Sequence, residues 1–139
     1  MKNRTFATLG LLALLATVSA FGQQRMKIDI PFEFSTGSTV MPAGQYTVAQ
    51  ESQSGFTNLA CYACKVDVRF QTHQIGSYAA RNEPSKLVFN KYGDKYFLSS
   101  VWMPGRGVGN ALPTSKTESE TALRAALAPT SQVVLFARR

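Results

Sequence analysis

Hydrophobic and polar residues alternate without a break from Met26 to Phe34 (MKIDIPFEF). The methionine, the two isoleucines and the two phenylalanines fall on one side, and Lys27, Asp29 and Glu33 fall on the other. Such a period of two is typical of a strand with one buried face. Because Pro31 has no backbone N–H to donate, we predict an edge strand, or a strand that is unpaired at that residue.

The stretch from Lys86 to Trp102 (KLVFNKYGDKYFLSSVW) predicts a β-hairpin. Gly93 and Asp94 suit the positive φ angles of a two-residue turn between two runs of strand-forming residues. A turn centred on them sets the pairing of both strands. The predicted pairs are Tyr92 with Lys95, Lys91 with Tyr96, Asn90 with Phe97 and Phe89 with Leu98.

Alternation along each strand also predicts which hairpin residues share a face. Leu87 and Phe89 lie on one face of the first strand, and Tyr96, Leu98 and Trp102 lie on one face of the second. An isolated hairpin is at best marginally stable in water. We therefore expect the rest of the chain to supply further strands that cover it.

Further segments with strand character are separated by turn signals such as Pro42-Ala43-Gly44. These segments are Thr39–Met41, Gln45–Gln50, Phe56–Cys64, Val66–Phe70, Ile75–Ala80 and Gln132–Phe136. No helix separates the early strands, which argues against alternating strands and helices. The pattern predicts a mainly β fold, namely a small antiparallel β-sandwich or barrel of seven to eight strands.

One short C-terminal helix is predicted over about residues 115–128. Ser115, followed by Glu118 three residues later, fits a capping box, although Thr114 could also cap the helix. Leu123 and Leu127 lie four residues apart and form one apolar stripe with neighbouring alanines. Pro129 is expected to end the helix.

The N-terminus has the pattern of a secretory signal peptide. Lys2 and Arg4 precede an apolar run of 13 residues, Phe6 to Val18, and small residues follow. We place the signal peptide at residues 1–22, with cleavage after Gly22 preferred to cleavage after Ala20. A single β-rich domain, residues 23–139, would then be exported to the periplasm or the extracellular space. No later run is long enough to be a transmembrane segment.

The formal net charge of the chain is +7, but its basic residues are scattered. A nucleic-acid-binding surface normally clusters its lysines and arginines. We therefore expect no nucleic-acid partner and at most weak attraction to anionic envelope surfaces. Possible partners are an envelope polysaccharide or another exported protein.

Cys61 and Cys64 form a C-x-x-C pair followed by Lys65. A thiol-disulfide oxidoreductase would place the first cysteine at a helix N-terminus, whereas the residues after this pair alternate as a strand. With His73 as the only histidine, a zinc site would need a second copy of the chain. We predict a structural disulfide, which requires a turn at Tyr62-Ala63. A redox pair, a metal site and free thiols remain alternatives.

Aromatic residues near the hairpin are the candidate ligand-binding residues. Tyr92 and Tyr96 flank its tip and Trp102 ends its second strand, so exposed rings there could stack on sugars or anchor a protein. The alternative is that these rings fill or cover the core. Arg106, in the glycine-rich loop that follows, is predicted as an additional contact. We predict no catalytic residues, no metal site and no cofactor.

Four segments carry a resemblance to a known group of proteins: IPFEF (Ile30–Phe34), MPAGQYTV (Met41–Val48), LVFNKYGDKYFLSSVW (Leu87–Trp102) and the charged helix after Ser115. Together they resemble a family of short exported bacterial proteins, mostly from soil bacteria, that lack an assigned function. The resemblance implies export and a small β-rich domain. The cysteine pair is not part of that shared pattern.

These observations favour an exported, non-enzymatic β-domain that binds or scaffolds material in the envelope or outside the cell. The binding surface is expected at the hairpin edge and the Gly105–Asn110 loop. The alternative is a small periplasmic thiol-disulfide redox protein that uses Cys61 and Cys64.

Overall fold

The structure is a computed structural model that describes residues 24–51, 54–76, 84–103, 107–125 and 131–137. The described chain forms eleven strands and one helix, α1 (Lys116–Arg124). The strands are β1 (Gln24–Ile30), β2 (Phe34–Thr36), β3 (Thr39–Met41), β4 (Gly44–Gln50), β5 (Phe56–Cys61), β6 (Val66–Gln71), β7 (His73–Gly76), β8 (Lys86–Tyr92), β9 (Lys95–Trp102), β10 (Val108–Ala111) and β11 (Ser131–Phe136).

The strands form two sheets. The first sheet has the order β1-β4-β5-β6, and the second has the order β11-β8-β9-β10-β7. The short hairpin β2–β3 joins the second sheet through a parallel bridge between Ser35 and Phe97. The predicted mainly β fold is confirmed, and of the two alternatives the sandwich is correct, because neither sheet closes on itself.

The alternating segment from Met26 to Phe34 serves both sheets. It forms β1 at the edge of the first sheet, as predicted, and then β2 in the second. The prediction of one unbroken strand is wrong, because the chain crosses between the sheets at Pro31. Ile30 and Phe34 nevertheless both face the interior, at 1% exposure each. The alternating residues therefore face one core that both sheets share, although they belong to two strands.

The hairpin β8–β9 has the predicted register from Tyr92–Lys95 to Phe89–Leu98. Beyond those pairs, Val88 lies opposite Ser100, so Ser99 is an extra residue and forms a β-bulge. Its carbonyl accepts a hydrogen bond from the N–H of Leu112 at 2.9 Å.

The bulge reverses the faces of the residues that follow it. Val101, opposite Leu87, is fully buried in the interior, and Trp102 lies on the opposite face from Leu98. The prediction that Trp102 shares a face with Tyr96 and Leu98 is therefore wrong.

Aromatic rings from both sheets meet in the core. The Phe34 ring packs edge-on against Tyr46 of the first sheet, with 5.4 Å between ring centroids, and against Phe89 of the second, at 5.3 Å. The Tyr46 hydroxyl donates a 2.6 Å hydrogen bond to the Pro42 carbonyl, which satisfies the phenol inside the core. The rest of this cluster consists of Cys61 and aliphatic residues: Met26, Ile28, Ile30, Met41, Val48, Leu59, Leu87, Leu98, Val101 and Met103.

Helix α1 begins as predicted, with Ser115 as its N-cap, whose hydroxyl accepts from the N–H of Glu118 at 3.1 Å. The helix buries Glu118 and leaves Leu123 75% exposed. The predicted apolar stripe therefore does not face the sheet at Leu123. The docking side carries a carboxylate instead, because polar groups of the sheet receive it.

Several predictions fall on residues outside the described ranges. These are the signal peptide (residues 1–22), the end of the Ile75–Ala80 segment, Arg106, Leu127 and Pro129. In the described part of the chain, no helix has the length and apolar character needed to cross a membrane.

Candidate functional site

The predicted aromatic residues lie on different faces of the second sheet. Tyr96 lies on the face that packs against the first sheet, where its ring contacts Phe32. Tyr92 and Trp102 lie on the outer face, near opposite ends of β9. Arg106 is outside the described residues. The structure therefore does not bring Tyr92, Tyr96 and Trp102 together into one patch.

Tyr92 is held by the helix. Its hydroxyl donates to Oε1 of Glu118 at 3.2 Å, and Nδ2 of Asn90 donates to the same oxygen at 2.9 Å. Burial raises the pKa of Tyr92 above its usual value, and the charge and hydrogen bond of Glu118 raise this pKa further. Tyr92 therefore docks α1 to the sheet rather than presenting a free ring.

Glu118 is the residue in this contact that the sequence did not reveal. The sequence assigned Glu118 only to a capping box at the start of the helix, whereas the residue is buried against the sheet at 5% exposure. Its side chain instead receives two donors from β8, as a buried carboxylate requires. The sequence signal was the polar residue Asn90 directly after the apolar run Leu87–Phe89, and that signal did not identify the helix as its partner.

Trp102 covers the end of the outer face. Its Nε1 donates to Oγ of Ser100 at 3.0 Å, and Nζ of Lys86 lies 5.2 Å from its ring centroid. The ring lies so close to Gly109 of β10 that a Cβ on that residue would be 2.6 Å from it. The glycine thus leaves room for the indole. It belongs to strand β10, which pairs with β9 where the sequence predicted only a glycine-rich loop.

Tyr96 stacks on Phe32 with 3.9 Å between centroids and an interplanar angle of 15°. Phe32 in turn meets Phe89 edge-on at 5.2 Å, and Nζ of Lys91 lies 5.3 Å from the Tyr96 centroid. The Tyr96 ring is thus anchored to the core through Phe32.

Beside this ring pair lies a cleft of about 270 Å³ between the hairpin tip and the β2–β3 hairpin. We call it the hairpin-tip cleft. It is lined by Phe32, Glu33, Phe34, Ser35, Val40, Asp94, Lys95 and Tyr96. The parallel bridge of β2 to β9 brings these two segments together.

The hairpin-tip cleft combines several kinds of polar group around an aromatic floor. The Glu33 and Asp94 carboxylates accept hydrogen bonds, the Lys95 ammonium donates them, and the hydroxyls of Ser35 and Tyr96 can do both. Sequence reasoning identified only Tyr96 among these residues. Asp94 and Lys95 are its neighbours at the hairpin tip, whereas Glu33 and Ser35 come from a segment about 60 residues earlier in the chain, and no sequence signal places that segment there.

The predicted disulfide joins Cys61 and Cys64, with 5.2 Å between their Cα atoms. As that bond requires, residues 62–65 form a turn, in which Lys65 has φ +57° and its N–H donates to the Tyr62 carbonyl. Cys61 is fully buried at the end of β5. The bridge packs on Gly44, where a Cβ would lie 2.8 Å from Sγ of Cys64. It therefore ties the β5–β6 turn to β4.

The resemblance to short exported bacterial proteins stays a prediction, because it is carried by short segments alone. Searches against protein-family models, curated proteins and solved structures find nothing that matches this chain.

Proposed function

We propose that this protein is an exported, non-enzymatic β-sandwich domain that binds polysaccharide of the cell envelope or the extracellular space. The hairpin-tip cleft carries the proposal. Its volume of about 270 Å³ lies just below the roughly 300–1,000 Å³ of pockets for drug-sized ligands, so it suits a group about the size of one sugar.

The chemistry of the cleft supports a hydroxyl-rich ligand. Sugar hydroxyls both donate and accept hydrogen bonds, and the cleft offers both kinds of partner within one rim. The stacked pair of Phe32 and Tyr96 supplies a rigid apolar wall for the C–H face of a ring. Preorganisation of that wall lowers the entropic cost of binding.

Export is supported by the apolar N-terminal segment and by the disulfide. Disulfides form and persist in oxidising compartments such as the periplasm and the extracellular space. The Cys61–Cys64 bond is compatible with such a compartment.

The binding proposal can be tested by co-sedimentation of the purified exported protein with insoluble peptidoglycan and with cellulose. We expect the protein to pellet with at least one of them. Lys95→Ala should weaken binding about fivefold or more, since it removes the cationic donor of the cleft. The matched control is Lys116→Ala, because Lys116 is 92% exposed on the helix and should bind like the wild type.

Absence of binding to either polymer would contradict the proposed function. Binding that Lys95→Ala leaves unchanged would contradict the cleft as the site, and not the polysaccharide as the ligand. If the protein binds other exported proteins and neither polymer, a protein partner is favoured over a polysaccharide.

The alternative function is that of a thiol-disulfide redox protein, which the presence of the disulfide and the partial exposure of Cys64 favour. Against it, Cys61 is buried at the end of β5 and is followed by a turn, whereas reactive cysteines of this class are partly exposed at a helix N-terminus. The test is reduction of insulin by the dithiol form. Activity that disappears in Cys61→Ser would favour this alternative over a structural disulfide.

A further inference from the structure

A second surface lies on the outer face of the first sheet, away from the residues of the hairpin-tip cleft. Short side chains of two neighbouring strands form its floor: Thr47 lies opposite Ala60, and Ala49 lies opposite Asn58. Longer residues rise around them and leave a groove of about 120 Å³. We call it the sheet groove, and it is lined by Arg25, Thr47, Ala49, Glu51, Asn58, Ala60, Tyr62 and Asp67.

Tyr62 stands at one end of the sheet groove with 80% of its surface exposed. Tyr62 lies in a turn that is closed by the disulfide between Cys61 and Cys64. A 3.3 Å hydrogen bond from the Lys65 N–H to the Tyr62 carbonyl also holds this turn. Tyrosine offers a large contact area with few rotatable bonds, so little entropy is lost when it binds. An exposed ring on a fixed turn is thus a preorganised platform.

The polar groups of the sheet groove are mixed in kind. The Asn58 amide and the Thr47 hydroxyl can each donate and accept, Asp67 accepts, and Arg25 donates. Such a set suits a ligand in which every hydroxyl plays both roles. It does not suit an apolar helix or strand, which would leave these groups without partners on burial.

The charges around the sheet groove indicate which class of ligand it can bind. Two carboxylates, Glu51 and Asp67, stand in the groove beside Arg25, and Arg69 adds a second cation through its 2.7 Å ion pair with Glu51. Lys27 and Asp29 lie on the same face of the neighbouring strand β1 and add one charge of each sign. The charges of this set balance. A polyanion such as nucleic acid or an acidic glycan would meet the two carboxylates without a cluster of bases to offset them.

We propose that the sheet groove binds a neutral polysaccharide chain, with one sugar ring stacked on Tyr62 and its neighbours hydrogen-bonded to Asn58, Thr47 and Asp67. The proposal rests on the polysaccharide class named in the proposed function, but it assigns the chain to residues that the hairpin-tip cleft does not contain. In this proposal the domain carries two binding sites, the sheet groove of about 120 Å³ on the first sheet and the hairpin-tip cleft of about 270 Å³ at the second.

Affinity gel electrophoresis tests this inference. The exported protein is run through gels that contain xylan, glucomannan or a β-glucan as neutral polymers, and polygalacturonate as an anionic one. We expect at least one neutral polymer to retard it and polygalacturonate not to. Tyr62→Ala and Asn58→Ala should each weaken that retardation about tenfold, whereas Tyr62→Phe, which keeps the ring, should retain most of it.

Lys95→Ala in the hairpin-tip cleft separates this inference from the proposed function. Retardation that survives Tyr62→Ala and Asn58→Ala but is lost in Lys95→Ala would overturn the sheet groove and leave the proposed function standing. Retardation by polygalacturonate alone would also overturn it. Failure of every polymer to retard the protein would contradict both. Because Tyr62 is so exposed, its variants should unfold at the wild-type urea concentration, which checks that they are folded.

Discussion

Gly44 is the residue at which the disulfide meets the first sheet. Its missing side chain leaves room for both sulfur atoms, since a Cβ there would lie 2.8 Å from Sγ of Cys64 and 3.2 Å from Sγ of Cys61. Gly44→Ala would force the bridge or the strand to move. We expect this overpacking to lower the free energy of unfolding by about 1–3 kcal/mol, measured by urea denaturation.

Two comparisons isolate that effect. Gly76→Ala is the matched control, because a Cβ at Gly76 has no atom within 4 Å, and it should change stability by less than about 1 kcal/mol. In a Cys61→Ala/Cys64→Ala background, the penalty of Gly44→Ala should shrink, because the clashing sulfurs are gone. An equal loss of stability in both backgrounds would show that the glycine is needed for the backbone conformation of β4 and not for room beside the disulfide.

At the scale of elements, local sequence signals predicted those features that depend only on residues close together in the chain. The turn at Gly93-Asp94 fixed the hairpin register, and Ser115 fixed the start of the helix, as found. The bulge at Ser99 was not predictable, because it depends on a hydrogen bond from Leu112, thirteen residues further along the chain. Alternation alone therefore placed Trp102 on the wrong face.

Helix α1 illustrates the same limit. Its docking side is set by the pairing of Glu118 with Asn90 and Tyr92 across 28 and 26 residues of sequence. The hydrophobic pattern predicts that the leucines face the sheet, because it depends on apolar residues alone. It carries no information about hydrogen-bond donors on the sheet that bind a carboxylate. The element was predictable, and its orientation was not.

Replacement of Glu118 tests how the helix is docked. Glu118→Ala leaves the Asn90 amide and the Tyr92 hydroxyl without their acceptor, so we expect a loss of about 1–3 kcal/mol in the free energy of unfolding. Glu118→Gln keeps an acceptor oxygen and should lose less. Urea denaturation followed by tryptophan fluorescence provides the measurement.

The control for this prediction lies on the same helix. Glu120 is exposed and forms only a 3.9 Å ion pair with Lys116, so Glu120→Ala should cost less than about 0.5 kcal/mol. Equal losses for the two glutamates would mean that helix propensity, and not docking, decides the stability of this region.

For the whole molecule, composition and patterning were enough to predict a two-sided β fold with one shared core. They could not reveal the candidate sites. The hairpin-tip cleft exists because β2 lies beside β9, and the sheet groove exists because short residues of β4 and β5 align in register. Both depend on contacts between distant segments. Of the aromatic residues that stand out in the sequence, Tyr92 and Trp102 are engaged in packing, and Tyr96 lines a candidate site.

Two packed tyrosines, Tyr46 and Tyr92, make the stability of the whole domain sensitive to alkali. Burial raises the pKa of Tyr46, and burial together with Glu118 raises that of Tyr92. In the unfolded chain both phenols titrate near pH 10. Their contribution to stability is therefore fully present below about pH 10 and is lost as the pH rises through the folded-state pKa values.

Tyr92→Phe separates the two phenols. At about pH 7 the variant should be less stable than the wild type by about 1 kcal/mol, because Glu118 loses a donor. Above about pH 10 its stability should fall less steeply, because one of the two phenols no longer titrates, so the gap between variant and wild type narrows. Urea denaturation from about pH 7 to about pH 11 measures this gap.

Tyr62→Phe, at an 80% exposed position, should follow the wild-type profile. A gap of constant size across the range would mean that the Tyr92 phenol titrates alike in the folded and unfolded chains.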